Sequence, residues 1–191
     1  NVRVANMTLT GGYSEGHGCT GGGGLLLAAN DMFNLDGDSG NNIATSTPVI
    51  ENVIIKDNHS HNGGGLATFR VNGPVLNNVE ISGNVATAFG GGVFSYVSVY
   101  TMNGVTISDN HNLGNGQGGG IMLAATSGTF DNMTITNNTA NGSHGGGIWT
   151  NNAGGSTNWN TVGWTMTNST ISGNTADYFG GGMCLSWSHP I

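Results

Sequence analysis

Positive charge is almost missing: Arg3, Lys56 and Arg70 face ten Asp and Glu residues, for a formal net charge of −7. Three scattered cations cannot neutralise a row of phosphates or dock on anionic lipid, which removes nucleic acid as a partner class. Long apolar runs are also missing. The longest, Leu25 to Ala29, is far short of the roughly 20 residues of a membrane-spanning helix, so this segment is expected not to insert into a bilayer. No stretch keeps apolar residues at a 3.6-residue spacing long enough for an amphipathic helix. Cysteine occurs only as Cys19 and Cys184. Neither an initiator Met nor a signal-peptide pattern stands at Asn1, so a processed or excised segment is expected.

Glycine is what the chain has in excess, at 36 of 191 residues. It follows no G-X-Y period, which excludes collagen, and it comes with regular aliphatic columns, which argues against a disordered tract. The glycines belong to a pattern that recurs six times: an aliphatic pair flanking one residue, I-x-x-N, a short spacer, then a glycine run closed by an aliphatic. The isoleucines Ile55, Ile81, Ile107 and Ile135 stand 26, 26 and 28 residues apart. The first copy is degraded, with Met7-Thr8-Leu9 followed by Gly12 where asparagine is expected. Extra residues around Asn30 to Thr47 and Asn151 to Thr161 read as two insertions on the flank of a solenoid.

Each repeat holds three short alternating segments. Their inward columns are Val53/Ile55, Val79/Ile81, Val105/Ile107 and Met133/Ile135; then Leu25, Leu66, Val93, Ile121, Ile148 and Met183; then Val4, Ile50, Leu76, Met102, Phe130 and Met166. A two-residue alternation at fixed register is strand, and identical positions stacked coil on coil pair in parallel. The predicted fold is all-β: a right-handed parallel β-helix of about six coils of three short strands, forming a single domain over residues 1–191. Asn58, Asn84, Asn110, Asn138 and Asn174 would stack as a structural ladder at one turn, with the glycines at a second. On this fold Cys19 and Cys184 lie about five coil steps of ~4.8 Å apart, which excludes an internal disulfide. A bridge between molecules is the alternative.

The paired I-x-x-N and G-G-G-aliphatic motifs, alternating along nearly the whole chain, resemble the F-x-x-N and G-G-A-aliphatic repeats of chlamydial polymorphic outer-membrane proteins and related bacterial surface β-helix proteins. Here Ile replaces Phe and a third Gly replaces Ala. The resemblance implies a β-helix exported to the cell surface, adhesive or structural in role, and it supplies no catalytic residues.

Polysaccharide lyases and hydrolases also use β-helices, with clustered carboxylates, a basic residue and often Ca²⁺. No Asp pair recurs in one column on adjacent coils, and Lys56 has Ser82 and Thr10 as stacking neighbours. No catalytic residue, metal or cofactor is assigned, and a polysaccharide-binding or polysaccharide-degrading role is the alternative. Asp36, Asp38 and Asn41, in the first insertion, have the alternating oxygens of a calcium loop without its closing Glu; a polar surface turn is the competing reading. The histidines, spread over different turns, read as solvated.

Two outward columns remain. Thr8/Thr10, Thr106/Ser108, Thr134/Thr136 and Thr170/Ser172 form a hydroxyl array of the kind an ice-binding face requires, broken by Ile54/Lys56 and Glu80. Strand propensity alone also accounts for it. Leu26, Ala67, Phe94, Met122, Trp149 and Cys184, with Tyr96 beside them, form an apolar stripe. It is read either as a partner or glycan surface, with Leu26, Phe94, Tyr96, Met122 and Trp149 as its contacts, or as a stripe covered by the insertions. Finally, the repeat runs into both ends in phase, Pro190-Ile191 repeating Pro74-Val75. The expectation is two uncapped end coils, stacking through Val4, Met7, Leu9 and Leu25 at one end and Met166, Ile171, Met183 and Leu185 at the other. Their partners would be flanking coils of a longer β-helix or copies of the chain itself in a head-to-tail filament. A glycan or a host or cell-surface protein is the other partner class, and the expected location is extracellular or at the cell surface.

Overall fold

The computed structural model describes residues 2–15, 21–28, 47–151 and 163–186. Within them the chain winds as a right-handed parallel β-helix, with 22 strands in three parallel sheets of ten, six and six strands. Strand register and sequence columns coincide. Val4, Ile50, Leu76, Met102, Phe130 and Met166 pair in that order. So do Leu9, Ile55, Ile81, Ile107, Ile135 and Ile171, and Leu25, Leu66, Val93, Ile121, Ile148 and Met183. In the middle coils these side chains fill the bore and are fully buried, each stabilising its coil by roughly 1.5–3 kcal/mol.

The structure adds one short strand to each coil beyond the three predicted. It lies between the ladder asparagine and the glycine run, as Tyr13–Ser14, His59–Asn62, Val85–Phe89, His111–Asn112, Thr139–Ala140 and Thr175–Ala176. These six strands form a sheet of their own. Their inward residues are small or polar, Ser60, Ala86, Asn112 and Ala140 being buried, so no aliphatic alternation announces them.

Corners between strands require left-handed backbone. Gly22, Gly63, Gly90, Gly118, Gly145 and Gly180, each three residues before the aliphatic that closes its glycine run, have φ between 58 and 82°. Another corner uses Asn6, Asn52, Asn78, Asn132 and Asn168, at φ 51–55°, with Gly104 in the sixth place. After glycine, asparagine tolerates this region best. That geometry accounts for the N-x-S/T triplets at Asn132 and Asn168, whose asparagines turn the coil.

The ladder and the glycine run are two halves of one joint. Asn84 donates its backbone N–H and its Nδ2 to Oδ1 of Asn110 in the next coil, at 3.0 and 2.9 Å. Its Nδ2 also reaches Ile55 O in the coil before, at 2.9 Å. Asn58, Asn110 and Asn138 repeat the arrangement. The third glycine makes room for it: a Cβ on Gly92 would lie 2.9 Å from Asn110 Nδ2. The second glycine sets the spacing between coils, since a Cβ on Gly91 would fall 2.2 Å from Gly119 O.

The bore also holds a buried hydroxyl cluster at positions that alternation reserves for aliphatics. Thr68 Oγ1 lies 2.7 Å from Tyr100 Oη and donates to Ser95 Oγ at 3.2 Å, and Ser95 Oγ lies 2.8 Å from Thr126 Oγ1. Burial pushes the Tyr100 phenol well above its ordinary pKa, against the opposing hydrogen bonds to Thr68 and Ser95. The two predicted insertions, Asp36, Asp38 and Asn41 of the calcium reading, and Cys19 lie outside the described residues, apart from the insertions' edge residues.

Candidate functional site

The ends of the solenoid differ from its middle. Val4, Leu9 and Leu25 in the first coil, and Met166, Ile171 and Met183 in the last, pack on the core but are only half-buried, and Met7 and Leu185 are exposed. At the C-terminal end Trp164, Thr165, Met166, Asn168, Ser169, Ile171 and Met183 line an open mouth of about 420 Å³. The last coil also exposes Phe179, whose ring stacks on His144 of the coil below at 5.1 Å, and Tyr178, 5.4 Å from the same imidazole. Tyr178 and Phe179 stand in the spacer just before the last glycine run, outside every aliphatic column, so the repeat gives no sign of them.

The apolar stripe is open to two readings in the sequence, a partner surface or a covered stripe. Phe94, Met122 and Trp149 are 6, 6 and 8 % exposed and form a second hydrophobic cluster with Ala67 and Phe69, which leaves little of them for a partner. Phe94 packs against Phe69 at 5.2 Å and Phe89 at 6.0 Å. Strand alternation points these side chains out of the bore, and this chain's own atoms bury them there. Of the five stripe contacts only Leu26 and Tyr96 stand exposed. Cys184, at the end of the stripe, is half-buried, and burial pushes its thiol pKa up.

A groove that sequence reasoning missed lies on the added sheet. Tyr13, Ser14, Glu15, His59, His61 and Thr87 line about 230 Å³. The Tyr13 ring is 63 % exposed and stacks on His59, with centroids 5.0 Å apart and planes 7° from parallel. Its hydroxyl donates to Glu15, and that bond raises the phenol pKa. His61 Nδ1 lies 3.2 Å from Thr87 Oγ1. The available signal was register: Tyr13 and His59 each follow the ladder position directly.

Among the described residues the polar groups stand in pairs and columns. Lys56 pairs in register with Thr10 and Ser82, and its ammonium lies 3.9 Å from Asp57. His59 and His111 are separated by Val85. Among the described residues no group of three His, Cys, Asp or Glu side chains comes together as a metal site. The hydroxyl columns Thr106/Ser108, Thr134/Thr136 and Thr170/Ser172 are aligned over three coils, then give way to Glu80 and Ile54/Lys56. Beside them Asp131 accepts from Thr167 Oγ1 at 2.7 Å and Asn168 Nδ2 at 2.8 Å, bonds that lower its pKa. Compared with protein-family models, with curated proteins and with solved structures, the chain finds no match in any of the three.

Proposed function

We propose that this chain is a non-enzymatic structural module of a β-helix displayed outside the cell, whose end coils are joints for further coils. One observation carries the reading: core columns that are closed in the middle coils are half-open in the first and last. Apolar side chains at that depth gain free energy when another coil covers them. The motif resemblance to bacterial surface β-helix proteins supports the location. Most repeated residues have a coil-building role: apolar columns fill the bore, asparagines link coils and glycines turn the chain or admit close approach. Sedimentation and electron microscopy over a range of concentrations test the joints. Particles should lengthen in whole-chain steps, and Met183→Asp, which places a charge in the mouth, should keep them short. Monodisperse short particles at every concentration, from protein with intact ends, would sink head-to-tail stacking of this chain, and an added coil that left the melting temperature unchanged would sink the joints themselves.

A polysaccharide-binding role is the second reading, favoured by the Tyr13 platform. One face of the ring is braced by His59, and carboxylate, imidazole and hydroxyl groups border it, the mixture of flat apolar surface and polar rim that suits a sugar. On a glycan array, Tyr13→Ala should lower binding at least about tenfold, equivalent to ~1.4 kcal/mol. Equal binding by the variant and the parent chain would remove the platform from consideration.

A further inference from the structure

We infer that the C-terminal end face is built for one kind of occupant: a β-helix coil that carries asparagine at the ladder position. The inference rests on the reading of the end coils as joints and narrows it. The same joint is made repeatedly inside the chain, so its requirements are known atom by atom.

At each inner joint, one asparagine gives its N–H and its Nδ2 to the Oδ1 of the next. Asn138 does so to Asn174, at 2.9 Å for both bonds. Asn174 itself uses Nδ2 to reach back to Ile135 O at 2.8 Å. Among the described residues its N–H and its other Nδ2 hydrogen have no acceptor. The glycine half of the joint agrees. A Cβ on Gly24, Gly65, Gly92, Gly120 or Gly147 would lie 2.8–3.0 Å from the Nδ2 of the following coil's asparagine. On Gly182 the nearest atom is Ile171 Cγ2, at 3.6 Å. The last coil therefore presents its own side of the joint, two donors and an open slot, in the register that accepts an asparagine side chain.

The opposite end lacks the matching piece. Gly12 occupies the ladder position of the first coil, where its N–H donates to Asn58 Oδ1 at 2.8 Å. A Cβ on Gly12 would fall 1.9 Å from Gly23 O, so that corner admits no side chain. A second copy stacked by its first coil would cover the apolar columns but offer no Oδ1 to Asn174. Unpaired donors cost more than an unmade contact, because their desolvation is uncompensated. The copy is therefore the weaker occupant, and the ladder has a direction: its run of side chains closes at Gly12 and stays extendable at Asn174.

The test adds one coil to the full chain. A copy of residues 102–129 is joined after Ile191, where Pro190-Ile191 repeats Pro74-Val75. It is made in two forms, one keeping the ladder asparagine and one with Asn110→Ala in the copy. Amide exchange of Asn174 and thermal midpoints are then read for both forms and for the parent chain. The asparagine form should slow Asn174 N–H exchange at least about tenfold and melt highest, and the alanine form should leave that amide close to the parent's rate. Equal protection in both forms would overturn the asparagine requirement while leaving the joint intact. A midpoint unchanged by either form would overturn the joint itself. Comparable protection of Asn174 in the parent chain at high concentration would make a second copy the occupant and overturn the inference.

Discussion

Asn110→Ala is expected to destabilise the chain by about 4 kcal/mol, a large part of the roughly 5–15 kcal/mol that holds a typical domain folded. The figure follows from what the truncation leaves behind. Oδ1 of Asn110 is the acceptor for both donors of Asn84, and its Nδ2 donates to Ile81 O and to Asn138 Oδ1 at 2.9 Å each. Asn84, Asn110 and Asn138 are all 0 % exposed, so no water replaces the lost partners. Each buried polar group left unsatisfied costs roughly 1–3 kcal/mol, and the two Asn84 donors and the Ile81 carbonyl are all affected. Asn174→Ala supplies the comparison. Asn174 is half-buried at the open end, where water can reach the groups it leaves, and about a third of the loss is expected. Urea titration of the two variants measures both. A loss below about 1 kcal/mol at Asn110 would mean that the ladder decorates the fold without holding it.

The second large effect is expected at Gly91. Its alanine variant should cost about 3 kcal/mol or more, because the obstacle is main chain and cannot rotate away. The added Cβ would meet Gly119 O at 2.2 Å and His111 C at 2.6 Å. Both belong to the next coil, whose distance is fixed near ~4.8 Å by strand pairing. Gly11→Ala separates contact from conformation. Gly11 has φ 69° but nothing within 4 Å of its Cβ position, and Asp57, Asp109 and Asn137 adopt the same left-handed backbone at the equivalent corner. Only the conformational cost of about 1–2 kcal/mol applies there. Thermal unfolding of the pair decides the point: a much larger loss at Gly91, whose φ is not left-handed, would place its demand for glycine in the approach of coils, and a loss no greater than at Gly11 would mean that the coils give way to a Cβ.

What could be read from the residues alone follows from how strongly each position is constrained. The aliphatic columns are determined by a bore that admits little else, so Ile55, Ile81, Ile107 and Ile135 reveal both strand and register. The fourth strand escapes notice because its buried residues, Ser60, Ala86, Asn112 and Ala140, are small or polar, so that no hydrophobic alternation develops. Thr68, Ser95 and Tyr100 hide the core in another way. Their hydroxyls satisfy one another, a property of several coils together that no single strand displays. The stripe shows the limit of alternation. It correctly sends Phe94 and Trp149 away from the bore, but whether an outward residue meets solvent or protein depends on parts of the chain distant in sequence. The phase of the repeat singles out Met166, Ile171 and Met183 in the last coil, but not the donors of Asn174, which matter only once hydrogen-bond geometry is known.

The joint between coils has its glycine on one coil and its asparagine on the next, so every period carries one half of two joints. Removing or duplicating one whole period of 26 or 28 residues, the separations between successive ladder residues, brings complementary halves together again. Tandem duplication and unequal crossing-over in the gene could therefore change the length of this molecule without inventing a contact, and natural selection could tune reach as a count of repeats.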